Sequence, residues 1–180
     1  MADQTSRPFE SRSDSRAKPD DVDALELSSD AVRDRVVQLA FGGDRARYDE
    51  FIRVIREAVP PDVAVVLRGS AVTGTRWEDG APFDADGPGT SDLDLTLIGG
   101  GMVQHFDVFY IPGLHTAPLS DEHPDASATF IPLRGALCRI AGRPVNIQAT
   151  ADVVQFLRDR VMSQPYFVMI PKQTDANDAG

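Results

Sequence analysis

The stretch Thr90-Ser91-Asp92-Leu93-Asp94-Leu95-Thr96-Leu97-Ile98-Gly99-Gly100, TSDLDLTLIGG, decides the fold. Polar and apolar residues alternate along it with the period of a half-buried β-strand. Side chains on a strand repeat every second residue, so Asp92 and Asp94 share one face while Leu93, Leu95 and Leu97 share the other. Two ionised carboxylates so placed lie roughly 6–7 Å apart and repel by about 2–3 kcal/mol at an effective dielectric of about 20. A divalent cation turns that repulsion into ligation, because hard ions such as Mg²⁺ take carboxylate oxygens and share their other positions with water and phosphates. The competing reading is a strand end with both acids in water, and this stretch alone leaves the two open.

The chain around it has 180 residues and 42% hydrophobic content, enough for one domain with a core and short for two. A net charge of −10 argues against an extended nucleic-acid surface. The single cysteine, Cys138, excludes an intramolecular disulfide and a cysteine-rich zinc site. No run is apolar enough to span a membrane, and the opening MADQTSRPFESRSDSRAKPDD has no apolar targeting core, so a cytoplasmic protein is expected. Residues 1–27 and 172–180 are polar and predict disordered tails around a folded body at 28–171.

Within that body, Asp30 is a candidate cap for a helix through AVRDRVVQLAF, stopped by Gly42-Gly43. A second helix follows from about Asp44, with Tyr48, Phe51, Ile52, Ile55 and Val59 at helical spacing, and Pro60-Pro61 closes it before the buried strand VAVVL. Downstream, MVQHFDVFYI reads as extended, PLRGALCRIAG as a helix with Pro132 near its start and Gly142 after its end, and PVNIQAT as a strand. DVVQFLRDRVM is a further helix and YFVMI a short strand. The pattern predicts an α/β or α+β fold with one mixed sheet flanked by helices.

The first strand runs into Leu67-Arg68-Gly69-Ser70-Ala71-Val72-Thr73-Gly74-Thr75, an abrupt change from buried apolar to small and hydroxyl residues. Glycine lets a backbone approach an anion, amides at the start of a following helix point at it, Ser70 adds a hydroxyl, and Arg68 or Arg76 adds charge. On its own such a turn is more often only a turn and N-cap. Together, LRGSAVTG on one strand and SDLDLTLIG on the next resemble the core signature of the DNA polymerase beta-like nucleotidyltransferase superfamily, over roughly residues 62 to 149. The resemblance implies a nucleotidyltransferase-like sheet in which Gly69 and Ser70, with Arg68 and Thr73, hold a nucleoside triphosphate and Asp92 and Asp94 bind Mg²⁺. It implies transfer of a nucleoside monophosphate to an acceptor hydroxyl with release of pyrophosphate.

Two features depart from that pattern. The connection AVTGTRWEDGAPFDADGPGTS is longer than the family's usual spacing. It reads as a surface loop or as a flap with Trp77 or Phe83 over a base, and its Asp-Ala-Asp-Gly lacks the rest of a calcium loop. The family's third acid falls on Pro144-Val145-Asn146-Ile147-Gln148, where Asn146 stands instead; an amide oxygen can ligate Mg²⁺ but takes no proton. Asp107, Asp152 or a loop acid is a possible substitute. Asn146 thus also supports a nucleotide-binding or regulatory module of the same fold with little turnover. A sugar-nucleotide transferase using the Asp-x-Asp motif is disfavoured by the Gly-Ser turn. His105, His115 and His123 lack metal-ligand spacing, and Cys138 has no evident nucleophilic partner. The acceptor is not legible, and a homodimer or a partner protein is a candidate for completing its pocket.

Overall fold

The computed structural model describes residues 29–99, 101–160, 162 and 164–173, so residues 1–27 and 174–180 of the expected tails lie outside the described residues. Among the described residues, helices α1 (Ser29–Phe41) and α2 (Arg45–Ala58) come first, separated at Gly42-Gly43. Asp44 is the N-cap of α2 and accepts from the Arg47 amide at 3.0 Å. Asp30 lies inside the first turn of α1, where its carboxylate meets Arg33 Nη1 at 2.6 Å.

Strand β1 (Ala64–Arg68) leads into the single-turn helix α3 (Ser70–Thr73), and β2 (Leu93–Ile98) follows the long loop. A 3₁₀ turn (Val103–His105) precedes the short strands β3 (Phe109–Ile111) and β4 (His115–Thr116). The run MVQHFDVFYI is therefore not extended throughout. Val103 and Phe106, three apart, are both buried, and a helical turn puts them on one side where a strand would not. Helix α4 (Ile131–Ala141) has Pro132 in its first turn and ends on Gly142 in the left-handed conformation. Strand β5 (Val145–Thr150), helix α5 (Asp152–Arg160) and strand β6 (Phe167–Ile170) complete the order.

The six strands form one mixed sheet in the order β3-β4-β5-β2-β1-β6. Only β2 and β5 pair in parallel among the ladders of this sheet. One face carries Val65, Leu67, Leu93, Leu95, Leu97, Val145, Ile147 and Ala149, all buried against α1, α2 and α4 through residues such as Val36, Phe51, Ile55 and Leu137. Burying each large aliphatic side chain is worth about 1.5–3 kcal/mol, so slipping a strand by one residue would forfeit a whole row. The apolar face thereby fixes which residues occupy the other face. There, Arg68 pairs with Asp94 across β1 and β2, and Asp94 with Asn146 across β2 and β5, so the three lie in one row.

After β6 the chain stays tied to the body. Lys172 ion-pairs with Asp152, and the Gln173 amide donates to Pro61 O at 2.8 Å, so residues 172–173 are not part of a free tail. Among the described residues no helix is long and apolar enough to cross a membrane.

Candidate functional site

The two acids that share a face in the sequence are brought together with Asn146. Its Nδ2 donates to Asp92 Oδ2 at 2.6 Å and to Asp94 Oδ1 at 3.0 Å, bridging the two carboxylates. Asp92 stands just ahead of β2, Asp94 within it, and the parallel register of β5 sets Asn146 beside Asp94. One position further along, Gln148 Nε2 donates to the buried Thr96 hydroxyl at 2.9 Å, so the polar row continues down the sheet.

Burial and the neighbouring Asp92 charge push the Asp94 carboxyl up to about 6, against the Asn146 hydrogen bond and the Arg158 charge, which lower it. The pair is thus under electrostatic stress that a cation relieves. The donor set fits Mg²⁺: two carboxylates supply hard oxygens, and rotating the Asn146 amide presents Oδ1 where Nδ2 now donates. Among the described residues no group of three or more His, Cys, Asp or Glu side chains is placed to hold a metal, so the cluster is two acids and an amide.

The Gly-Ser turn backs directly onto this cluster. Gly69 has φ of +77°, which L side chains rarely adopt, and a Cβ built on it would lie 3.0 Å from Asp94 Oδ2. Glycine is therefore favoured by backbone conformation, and a side chain here would also crowd the acid. The α3 turn begins with Val72 and Thr73 amides donating to Gly69 O, at 3.0 and 3.3 Å, which leaves the Ser70 and Ala71 amides ahead of its ladder. The Thr73 hydroxyl is used locally and donates to Thr75 O at 2.7 Å. Arg68 is buried: its Nη2 donates to Gln155 Oε1 on α5 at 2.7 Å and its guanidinium lies 5.2 Å from the centroid of the Tyr166 ring.

The long connection before the acids is anchored. Asp84 accepts from Arg143 Nη1 at 2.9 Å and Nη2 at 3.1 Å, and from the Ser91 and Gly89 amides at 2.9 and 3.0 Å. Burial opposes ionisation of Asp84, but those bonds and the Arg143 charge outweigh it and hold the carboxyl at about 2. Phe83 is buried with Arg143 over its ring at 4.6 Å, whereas Trp77 is 83% exposed. Both acids of Asp-Ala-Asp-Gly are engaged by arginines, Asp84 by Arg143 and Asp86 by Arg76, which is not the arrangement of a calcium loop.

None of the other acids weighed as a third ligand joins Asp92 and Asp94. Asp152 pairs with Lys172, Asp107 is exposed beyond the 3₁₀ turn, and Glu78 and Asp79 are exposed in the loop. His105 packs edge-on against Phe130, and His115 packs beside Tyr110, each with ring centroids 5.9 Å apart. Helix α5 forms where the sequence predicts it, but sequence reasoning missed its place in the site: its Gln155 and Arg158 come to the polar face of the sheet, and DVVQFLRDR gives no sign of which side it covers. No family model, curated protein or solved structure matches the chain.

Proposed function

We propose that the chain is a Mg²⁺-dependent nucleotidyltransferase that moves a nucleoside monophosphate from a nucleoside triphosphate to an acceptor hydroxyl and releases pyrophosphate. The observation that carries this reading is the convergence of Asp92, Asp94 and Asn146 on one point, with Gly69 closed against Asp94. Asp92, Asp94 and Asn146 would hold the metal; the Gly69-Ser70 turn, with Arg68 and Thr73 around it, would hold phosphates. When bound, Mg²⁺ supplies charge neutralisation for the triphosphate, the main requirement of in-line phosphoryl transfer. Asn146 takes no proton, so this position on β5 supplies no base for the acceptor hydroxyl.

A second reading, a nucleotide-binding or regulatory module with little turnover, is favoured by one specific feature. The Asn146 amide already donates to both acids and bridges them without a cation, and among the described residues no third carboxylate joins them.

Pyrophosphate release from each of the four ribonucleoside triphosphates, over a panel of hydroxyl acceptors, tests both readings in the parent, Asp92→Ala, Asp94→Ala and Asn146→Asp. The enzyme reading predicts release in the parent, its loss in both alanine variants, and a gain on adding a carboxylate at 146, since a positioned base contributes about 10²–10⁴-fold. Background release in the parent and in Asn146→Asp, with metal-nucleotide binding intact, favours the binding module. Metal-nucleotide affinity unchanged in both alanine variants contradicts both readings.

A further inference from the structure

Helix α5 brings polar groups to the polar face of the sheet and leaves apolar ones outside. Val153, Leu157 and the following Met162 are exposed, whereas Gln155 and Arg158 are partly buried against Arg68 and within the field of Asp94. Gln155 and Arg158 are three apart, so they share a helix face. Each contributes one bond to the local structure: Gln155 Oε1 accepts from Arg68 Nη2 at 2.7 Å, and Arg158 Nε donates to Gln164 Oε1 at 2.9 Å. Each also has a buried donor with no hydrogen-bond partner, Gln155 Nε2 and Arg158 Nη1.

Both groups are donors only, and a guanidinium stays charged throughout the ordinary pH range. A buried donor without an acceptor is costly, and a buried cation without a close anion more so. Asp94 acts on Arg158 through its field, but the two form no direct ion pair among the described residues. The face therefore offers carboxylates for a cation and, beside them, cationic and amide donors for an oxyanion. A metal-polyphosphate presents that same pair of charges.

We propose that Gln155 and Arg158 form an oxyanion-binding pair that receives phosphoryl oxygens of the polyphosphate at the Asp92–Asp94 site. The proposal rests on the nucleotide reading above and extends it to α5, with Arg158 supplying charge and direction and Gln155 a second donor. The pair acts on the anion directly, whereas a purely structural counter-ion to Asp94 would leave anion binding untouched.

Inorganic pyrophosphate is the probe, titrated calorimetrically with and without Mg²⁺ into the parent, Gln155→Leu, Arg158→Met and Arg158→Lys, with thermal melts to verify folding. Loss of a charge-assisted hydrogen bond predicts a drop of about tenfold or more in pyrophosphate affinity for Gln155→Leu and Arg158→Met, and a smaller drop for Arg158→Lys. Parent-like pyrophosphate affinity in the folded variants, or no binding by the parent, overturns the proposal. If Arg158→Met does not fold, Arg158→Lys and Gln155→Leu decide by the same criterion. Asp92→Asn separates this proposal from the metal reading. If its Mg²⁺-triphosphate affinity is unchanged while pyrophosphate binding still depends on Arg158, the metal reading fails and the oxyanion pair stands. The converse pattern removes the pair and leaves the metal reading.

Discussion

Asp94 is held where its charge is opposed. Burial and Asp92 raise its carboxyl to about 6 from an ordinary value of 3.8. A carboxyl that is easier to protonate when folded stabilises the fold below its unfolded pKa, and that contribution is lost as pH rises through about 6. In EDTA, Asp94→Asn is therefore expected to match the parent near pH 4 and to exceed it above pH 6 by roughly 2–3 kcal/mol, since the shift costs about 1.4 kcal/mol per unit. The amide retains an oxygen to accept from Asn146, so the bridge geometry survives. Chemical denaturation at pH 4, 5.5 and 7.5 measures this, and a variant less stable than the parent at pH 7.5 contradicts the stress assigned to the pair.

At the scale of elements, the connection between α3 and β2 is anchored by a part-buried ion pair. Asp84 has φ of +59°, and its carboxylate joins Arg143 to the Ser91 amide immediately before Asp92. Asp84→Asn keeps a side chain that tolerates this backbone and removes the charge. The variant is expected to lose about 1–3 kcal/mol at neutral pH, because the part-buried Arg143 loses its anion. The Asp84 carboxyl is held at about 2, so its contribution is present above the unfolded value of 3.8 and fades as pH falls towards 2. Thermal melts at pH 7 and pH 3 should show the larger loss at pH 7, and equal stability of parent and variant at pH 7 would show the anchor to be dispensable.

This anchor was not legible in the sequence, for a physical reason. Asp84 and Arg143 are 59 positions apart, and nothing local distinguishes a bidentate pair from two surface charges. The elements read well where local chemistry is decisive: the start of α2 at about Asp44, Pro132 and Gly142 bounding α4, and the alternation that sets β2 and β5. Val103 to Ile111 read poorly, because two short elements follow each other without a Gly or Pro between them. Within the site, the shared face of Asp92 and Asp94 followed from strand periodicity. The meeting with Asn146 was expected only through the resemblance, since it rests on the parallel register of β2 and β5; the approach of Gln155 and Arg158 needed the side on which α5 packs, which only tertiary structure decides.

Across the whole molecule, one sheet separates two tasks. Its apolar face holds the core with α1, α2 and α4, and its other face carries Arg68, Asp94 and Asn146 in one row, closed at one end by Gly69. The division lets Asp92 and Asp94 change without unpacking the core, so their variants should remain folded. The most direct test of the central claim is calorimetric titration of Mg²⁺ with a nonhydrolysable nucleoside triphosphate into the parent and the double variant Asp92→Asn, Asp94→Asn. Removing both hard anionic ligands predicts metal-dependent triphosphate binding in the parent and a fall of about 100-fold or more in the double variant, with the melting temperature in EDTA held or raised. A folded double variant that binds metal and triphosphate as tightly as the parent would contradict the claim that these two carboxylates form the site.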